Sequence, residues 1–174
     1  MKKLRAVVVV AAIAALAIGL LAGCSCSSGG SSKAQNFGWY EAVIPTGYED
    51  VKESGNVGQE FDKKVDGKSQ DEIIKAYKNS TSSKKPDAAA AKADRIAMSP
   101  DKYTDKGQMK IGNYTWEVVG FQHNNKPSLM LFTQDPSDTK NIIQLDFFCM
   151  DENNADMKTF VESFKYLGEK EEKK

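Results

Sequence analysis

The sequence predicts an α+β domain: an antiparallel sheet with an N-terminal strand pair, a C-terminal three-stranded meander, and helices packed on one face. Three observations lead there. Residues 114–123, 129–133 and 141–150 are apolar, aromatic or β-branched runs. The segments between them, Asn124-Asn125-Lys126-Pro127 and Asp135-Pro136-Ser137-Asp138, have the chemistry of turns. Met157, Phe160, Val161 and Phe164 then recur at helical spacing, with Lys158, Glu162 and Lys165 opposite.

The elements follow in order. Residues 37–44 are aromatic and β-branched and stop at Pro45-Thr46-Gly47, which predicts a strand and a turn. Residues 48–53 return as a second strand, and residues 56–65 form a third with Val57, Phe61 and Val65 as its apolar points. Ser69-Gln70-Asp71-Glu72 has the form of a capping box, and Ile73, Ile74 and Tyr77 make one apolar side. That predicts a helix over 70–78. Residues 87–97 are Ala-rich and predict a second, loosely packed helix, anchored by Ile96 and Met98. Residues 108–111 lead through Gly112-Asn113 into the meander. On its last strand Ile143, Leu145, Phe147 and Cys149 share one face, while Gln144 and Asp146 share the other with Ile142 and Phe148. That second face is therefore only partly covered. Asp151 to Asn154 offer N-cap side chains to a closing helix over 155–164. Residues 168–174 form a charged tail.

The chain has 174 residues with 24 basic and 24 acidic side chains. The first 23 residues hold Lys2, Lys3 and Arg5 and no acid, so the remainder carries a net charge of −3. A weakly acidic domain lacks the clustered basic face that nucleic acid requires, and no nucleic-acid partner is expected. Of the three cysteines, Cys149 lies in an apolar run and reads as a small buried hydrophobe. Neither Cys/His spacing nor a Gly-rich phosphate loop appears, so no metal or cofactor is expected.

The N-terminus is the most specific part. Met1 to Arg5 is basic, residues 6–20 are apolar, and Leu21-Ala22-Gly23-Cys24 is followed by a Ser/Gly-rich stretch. A charged start and a short apolar centre describe a secretory signal peptide. Leu21-Ala22-Gly23-Cys24 resembles the lipobox of bacterial lipoproteins. The resemblance implies cleavage between Gly23 and Cys24 and lipidation of the Cys24 thiol. Residues 1–23 would then be a cleaved signal, residues 24–36 a lipidated cysteine and flexible tether, and residues 37–167 the folded domain. Two or three acyl chains would hold it to the extracytoplasmic face of a cell membrane. Cys26 falls in the tether.

A second resemblance concerns the domain. The opening strand running into Ile44-Pro45-Thr46-Gly47-Tyr48, the meander, and the closing helix ending Glu162-Ser163-Phe164-Lys165 resemble the PsbP-like fold. That fold is shared by extrinsic photosystem proteins, a nuclear-import factor and many small bacterial lipoproteins. It implies an architecture and no functional residue.

Candidate chemistry is sparse. His123 is the only histidine and stands where a strand enters a polar turn. Cys149 could act as a nucleophile only with His123 beside it. The acid pairs Asp71 with Glu72 and Asp151 with Glu152 read as helix starts. Glu117 and Asp146, on strands of one sheet, are the acid pair suited to glycosidase-like work. Tyr114, Trp116 and Val118 share one strand face, and Val119 and Phe121 share the other. With helices on one side only, one row would be partly exposed. Tyr114, Trp116, Val118 and His123 are therefore candidate ligand-binding residues. The leading expectation is a non-catalytic, membrane-anchored domain binding an envelope protein or a small ligand. The alternatives are a cell-wall hydrolase using Glu117, Asp146 or His123, and an assembly factor of a membrane complex.

Overall fold

The computed structural model describes residues 33–51, 58–80, 87–138 and 140–168. Gly23, Cys24, Cys26, the predicted signal, most of the tether and the last six residues lie outside them.

The described chain is α+β, with two antiparallel sheets and two helices. The small sheet joins β1 (Gln35–Asn36), β2 (Tyr40–Ala42) and β10 (Lys165–Tyr166), with β2 in the middle. The large sheet has seven strands. In chain order these are β3 (Tyr48–Val51), β4 (Gly58–Val65), β5 (Lys68–Ser80), β6 (Thr104–Ile111), β7 (Tyr114–His123), β8 (Lys126–Thr133) and β9 (Asn141–Phe148). In space they run β3-β4-β5-β9-β8-β7-β6. The meander is β7-β8-β9, extended by β6 on one side and joined to β5 on the other. Helices α1 (Ala88–Met98) and α2 (Ala155–Ser163) complete the fold.

The opening strand differs from expectation. Residues 37–39 form a tight turn, with Gly38 at φ +93° and its amide donating to Asn36 Oδ1 at 2.8 Å. The N-terminal strand pair is thus β1 with β2, a hairpin, while β3 joins the large sheet.

The larger correction is the helix predicted over 70–78. That segment is the strand β5. Its capping-box residues are spread along the strand, and Asp71 and Glu72 reach Lys126 and Lys63 instead of free helical amides. The reason is what the segment gains on either side. Phe61↔Ile74 and Ala76↔Leu145 are two of the register pairs that place β5 between β4 and β9. Ile74 and Ala76 reach full burial at period two, which a helix cannot provide there. The decisive local signal is Asp66-Gly67. These residues adopt φ +52° and +74°, the two left-handed positions of a two-residue hairpin turn. Asn124-Asn125, at φ +50° and +58°, makes the same turn between β7 and β8.

The helices also divide between the two faces of the large sheet instead of sharing one. Met157, Phe160 and Val161 of α2, with Phe164 after it, are fully buried against Trp116, Leu131, Leu145 and Phe147. Gly112, at φ +60°, lets the β6–β7 turn approach α2 so closely that a Cβ there would fall 2.9 Å from the Glu162 carbonyl oxygen. Helix α1 lies on the opposite face. Ala88, Ala91 and Ile96 pack on Val119, Met130, Phe132 and Ile142, and no α1 residue is fully buried. No described helix is long and apolar enough to cross a membrane.

Candidate functional site

Strand alternation decides which candidates share a surface. Tyr114, Trp116 and Val118 point toward α2 and are buried at 9%, 0% and 1% exposure. They are core. The Tyr114 hydroxyl donates to Asp135 Oδ2 at 2.9 Å and accepts from the Tyr166 amide at 3.1 Å. The Trp116 indole donates to the Ile111 carbonyl at 3.3 Å. The expectation that this row is open to a ligand fails because α2 covers it. On the other face Val119 is buried and Phe121 half-buried, beneath α1 and Tyr103.

His123 ends β7 at the hairpin tip, with its ring edge-on to Phe148 at 5.0 Å. Cys149 leaves β9 at φ +58°. Its thiol donates to the His123 backbone carbonyl at 3.5 Å, and its amide donates to Ser128 Oγ. Burial, with Asp71 adding to it, pushes the thiol's pKa up. The group that reaches this sulfur from His123 is a carbonyl and not the imidazole. A raised pKa also disfavours the thiolate a nucleophile needs.

Glu117 and Asp146 share the α1 face but flank the helix on different sides. Glu117 is neutralised by Lys92 of α1 at 2.5 Å and accepts from Gln108 Nε2. In register it stands opposite Phe132, which stands opposite Gln144; Asp146 is two residues further along β9. Met130 and Phe132 of β8, packed under α1, lie between the strands that carry the two acids. With a whole strand between them, the acids are not set to grip one glycosidic bond.

Asp146 has a different setting. Beyond the edge of α1, β5 and β9 bring a group of polar side chains together on this face. Register pairs Lys75 with Asp146 and Tyr77 with Gln144, and sets Asn79 beside Ile142. Tyr77, Asn79, Gln144, Asp146 and Arg95 of α1 line an open cleft of about 420 Å³. An adjoining hollow of about 160 Å³ shares Asn79, Arg95 and Gln144 and adds Ala91, Asp94, Met98, Phe132 and Ile142. Gly58 positions the Tyr77 ring, since a Cβ there would fall 2.7 Å from it.

Inside the cleft the polar groups are chained. Asn79 Nδ2 donates to Gln144 Oε1 at 3.0 Å, and Gln144 Nε2 donates to Asp146 Oδ1 at 2.8 Å. Among the described residues no hydrogen bond reaches Asp146 Oδ2. Burial raises the Asp146 pKa to about 6, against the Gln144 hydrogen bond and the positive charges of Arg95 and Lys75. Lys75 is itself paired with Glu60 and lies 5.8 Å from the Phe148 ring centre. Arg95 forms no ion pair among the described residues, and its guanidinium sits 6.0 Å from the centre of the Tyr103 ring. Convergent polar groups around a perturbed carboxylate in a cleft mark a candidate binding site. Nor do the described residues hold a group of three His, Cys, Asp or Glu side chains arranged for a metal.

Of this site, the sequence points only to Asp146 and the uncovered face of β9. Arg95 is missed because it stands in an Ala-rich helix with no motif. Tyr77 and Asn79 are missed because their segment reads as a helix and its end.

No protein-family model matches the sequence. No curated protein matches it either. Among solved structures, a crystal structure from Bacteroides thetaiotaomicron is 13% identical, with a TM-score of 0.49, covering 74% of this chain and 45% of that one. The solution structure of cyanobacterial PsbP (CyanoP) from Synechocystis is 16% identical, with a TM-score of 0.47, covering 85% of this chain and 99% of that one. The chain thus spans less than half the length of the first of these. Both are distant likenesses of chain path.

Proposed function

We propose that the protein is a lipid-anchored, non-catalytic binding domain of a bacterial cell envelope, with its ligand site in the cleft beside α1. The observation that carries the anchor is Leu21-Ala22-Gly23-Cys24 behind a basic start and an apolar run. Two or more acyl chains on Cys24 would make membrane attachment durable. The domain side rests on the dispersal of the groups that hydrolysis would require. Glu117 is sealed under α1 by Lys92, Asp146 lies across the helix from it, and His123 is at a hairpin tip against Phe148. What remains in a cleft is a fixed row of hydrogen-bonding side chains, which suits holding a molecule better than cleaving one.

The test is Cys24→Ser in the full chain. Metabolic labelling with a fatty acid should vanish, and the protein should leave the membrane fraction. An unchanged membrane fraction, with no lipid mass on Cys24 of the unsubstituted protein, refutes the anchor. Turnover of an envelope glycan or peptide that one substitution in the domain abolishes refutes the non-catalytic reading.

A further inference from the structure

The cleft beside α1 presents opposite charges that do not neutralise each other. Arg95 and Asp146 both line it. They attract through space, yet make no ion pair among the described residues. Asp146 Oδ1 is committed to Gln144, which leaves Oδ2 as an acceptor without a donor among the described residues. Arg95 supplies several N–H donors in a planar fork, suited to a carboxylate. Asn79 and Gln144 line the same cleft, with Asn79 Nδ2 donating to Gln144 Oε1. The volume of about 420 Å³ falls within the roughly 300–1,000 Å³ of small-molecule sites. The adjoining hollow offers apolar walls from Ala91, Met98, Phe132 and Ile142.

We infer that this cleft binds a small zwitterion, a free amino acid or dipeptide with an apolar side chain. Its ammonium sits on Asp146, its carboxylate on Arg95, and its side chain in the hollow beside Met98. A neutral polyol would leave both charges unmatched. A purely anionic or cationic ligand would satisfy one charge and leave the other desolvated. The buried carboxylate, held at a cost to the folded state, is the kind of unfavourable group that binding sites retain. This inference rests on the reading of the domain as a binding module and names its ligand class.

The experiment is a titration of the full chain in detergent at pH 7.5, read by NMR shifts and calorimetry. The probes are L-leucine, N-acetyl-L-leucine, L-leucinamide, glycine and glucose. Leucine should bind, and removing its ammonium or its carboxylate should each weaken binding on the order of tenfold or more. Glycine should bind more weakly than leucine, and glucose not at all. Asp146→Asn should abolish the preference for leucine over N-acetyl-leucine. Arg95→Gln should abolish the preference for leucine over leucinamide. Thermal unfolding confirms that both variants fold. Glucose binding as tightly as leucine, no leucine binding at about 10 mM, or unchanged preferences in folded variants each overturn the inference. If Cys24→Ser still releases the protein from membranes, such a failure removes the ligand class alone and leaves the anchored binding domain standing.

Discussion

Asp146→Asn should make the protein more stable at neutral pH and change little in acid. The carboxyl is 5% exposed, and burial raises its pKa from the ordinary 3.8 to about 6. The folded chain therefore keeps this proton up to about pH 6, whereas the unfolded chain releases it near 3.8. Between those values the folded state binds more protons, so stability falls as pH rises through the window. With these two pKa values, linkage gives about 3 kcal/mol of lost stability at pH 7.5 and about 0.5 kcal/mol at pH 4. Asparagine keeps an oxygen for the Gln144 donor and never ionises. Its extra N–H groups recover part of the difference, so a gain of about 2 kcal/mol is expected at pH 7.5, or about 6 °C in Tm. The assay is thermal and urea unfolding of both proteins across pH 4 to 8, by circular dichroism. No stabilisation at pH 7.5, or a gain as large at pH 4 as at 7.5, refutes the assignment of a buried, high-pKa carboxyl.

Other outcomes test the rest of the fold. Gly112→Ala places a Cβ against the α2 backbone at a left-handed φ, and should cost about 2 kcal/mol in urea unfolding. Phe160→Ala removes a fully buried ring that touches Tyr40, Phe61 and Phe147, and should cost about 4 kcal/mol by the same measurement. Lys92→Met strands the Glu117 carboxylate under α1 and should cost about 3 kcal/mol, most of which adding Glu117→Gln should restore. An additive double mutant would show that the pair is not coupled.

How far the sequence could be read depended on whether local and tertiary preferences agree. In β7, β8 and β9, alternation and turn chemistry agree with burial, and the meander is legible apart from its strand ends: β8 begins already at Lys126 and β9 stops at Phe148. In α2 the spacing of Met157, Phe160, Val161 and Phe164 matches the face that is buried. In β5 they conflict. A helix start at Ser69-Gln70-Asp71-Glu72 stabilises a segment by a few hydrogen bonds at its end. Pairing with β4 and β9 satisfies the backbone along most of the strand and buries Ile74 and Ala76. The side of the sheet that α1 covers was likewise hidden, because an Ala-rich helix has little apolar stripe to show where it docks.

By itself, then, the sequence determined the α+β class, the meander, the closing helix and the expectation of a lipid anchor at Cys24. Each is written in short stretches whose chemistry is local: alternation, turn residues, helical spacing and a peptidase motif. Only the tertiary structure decided that the Tyr114, Trp116 and Val118 row is core, that Glu117 is sealed by Lys92, and that Asp146 shares a cleft with Tyr77, Asn79, Gln144 and Arg95. Those residues come from two strands and a helix far apart in the chain. Their meeting depends on strand order and on the face that α1 covers, and neither is encoded in any one segment.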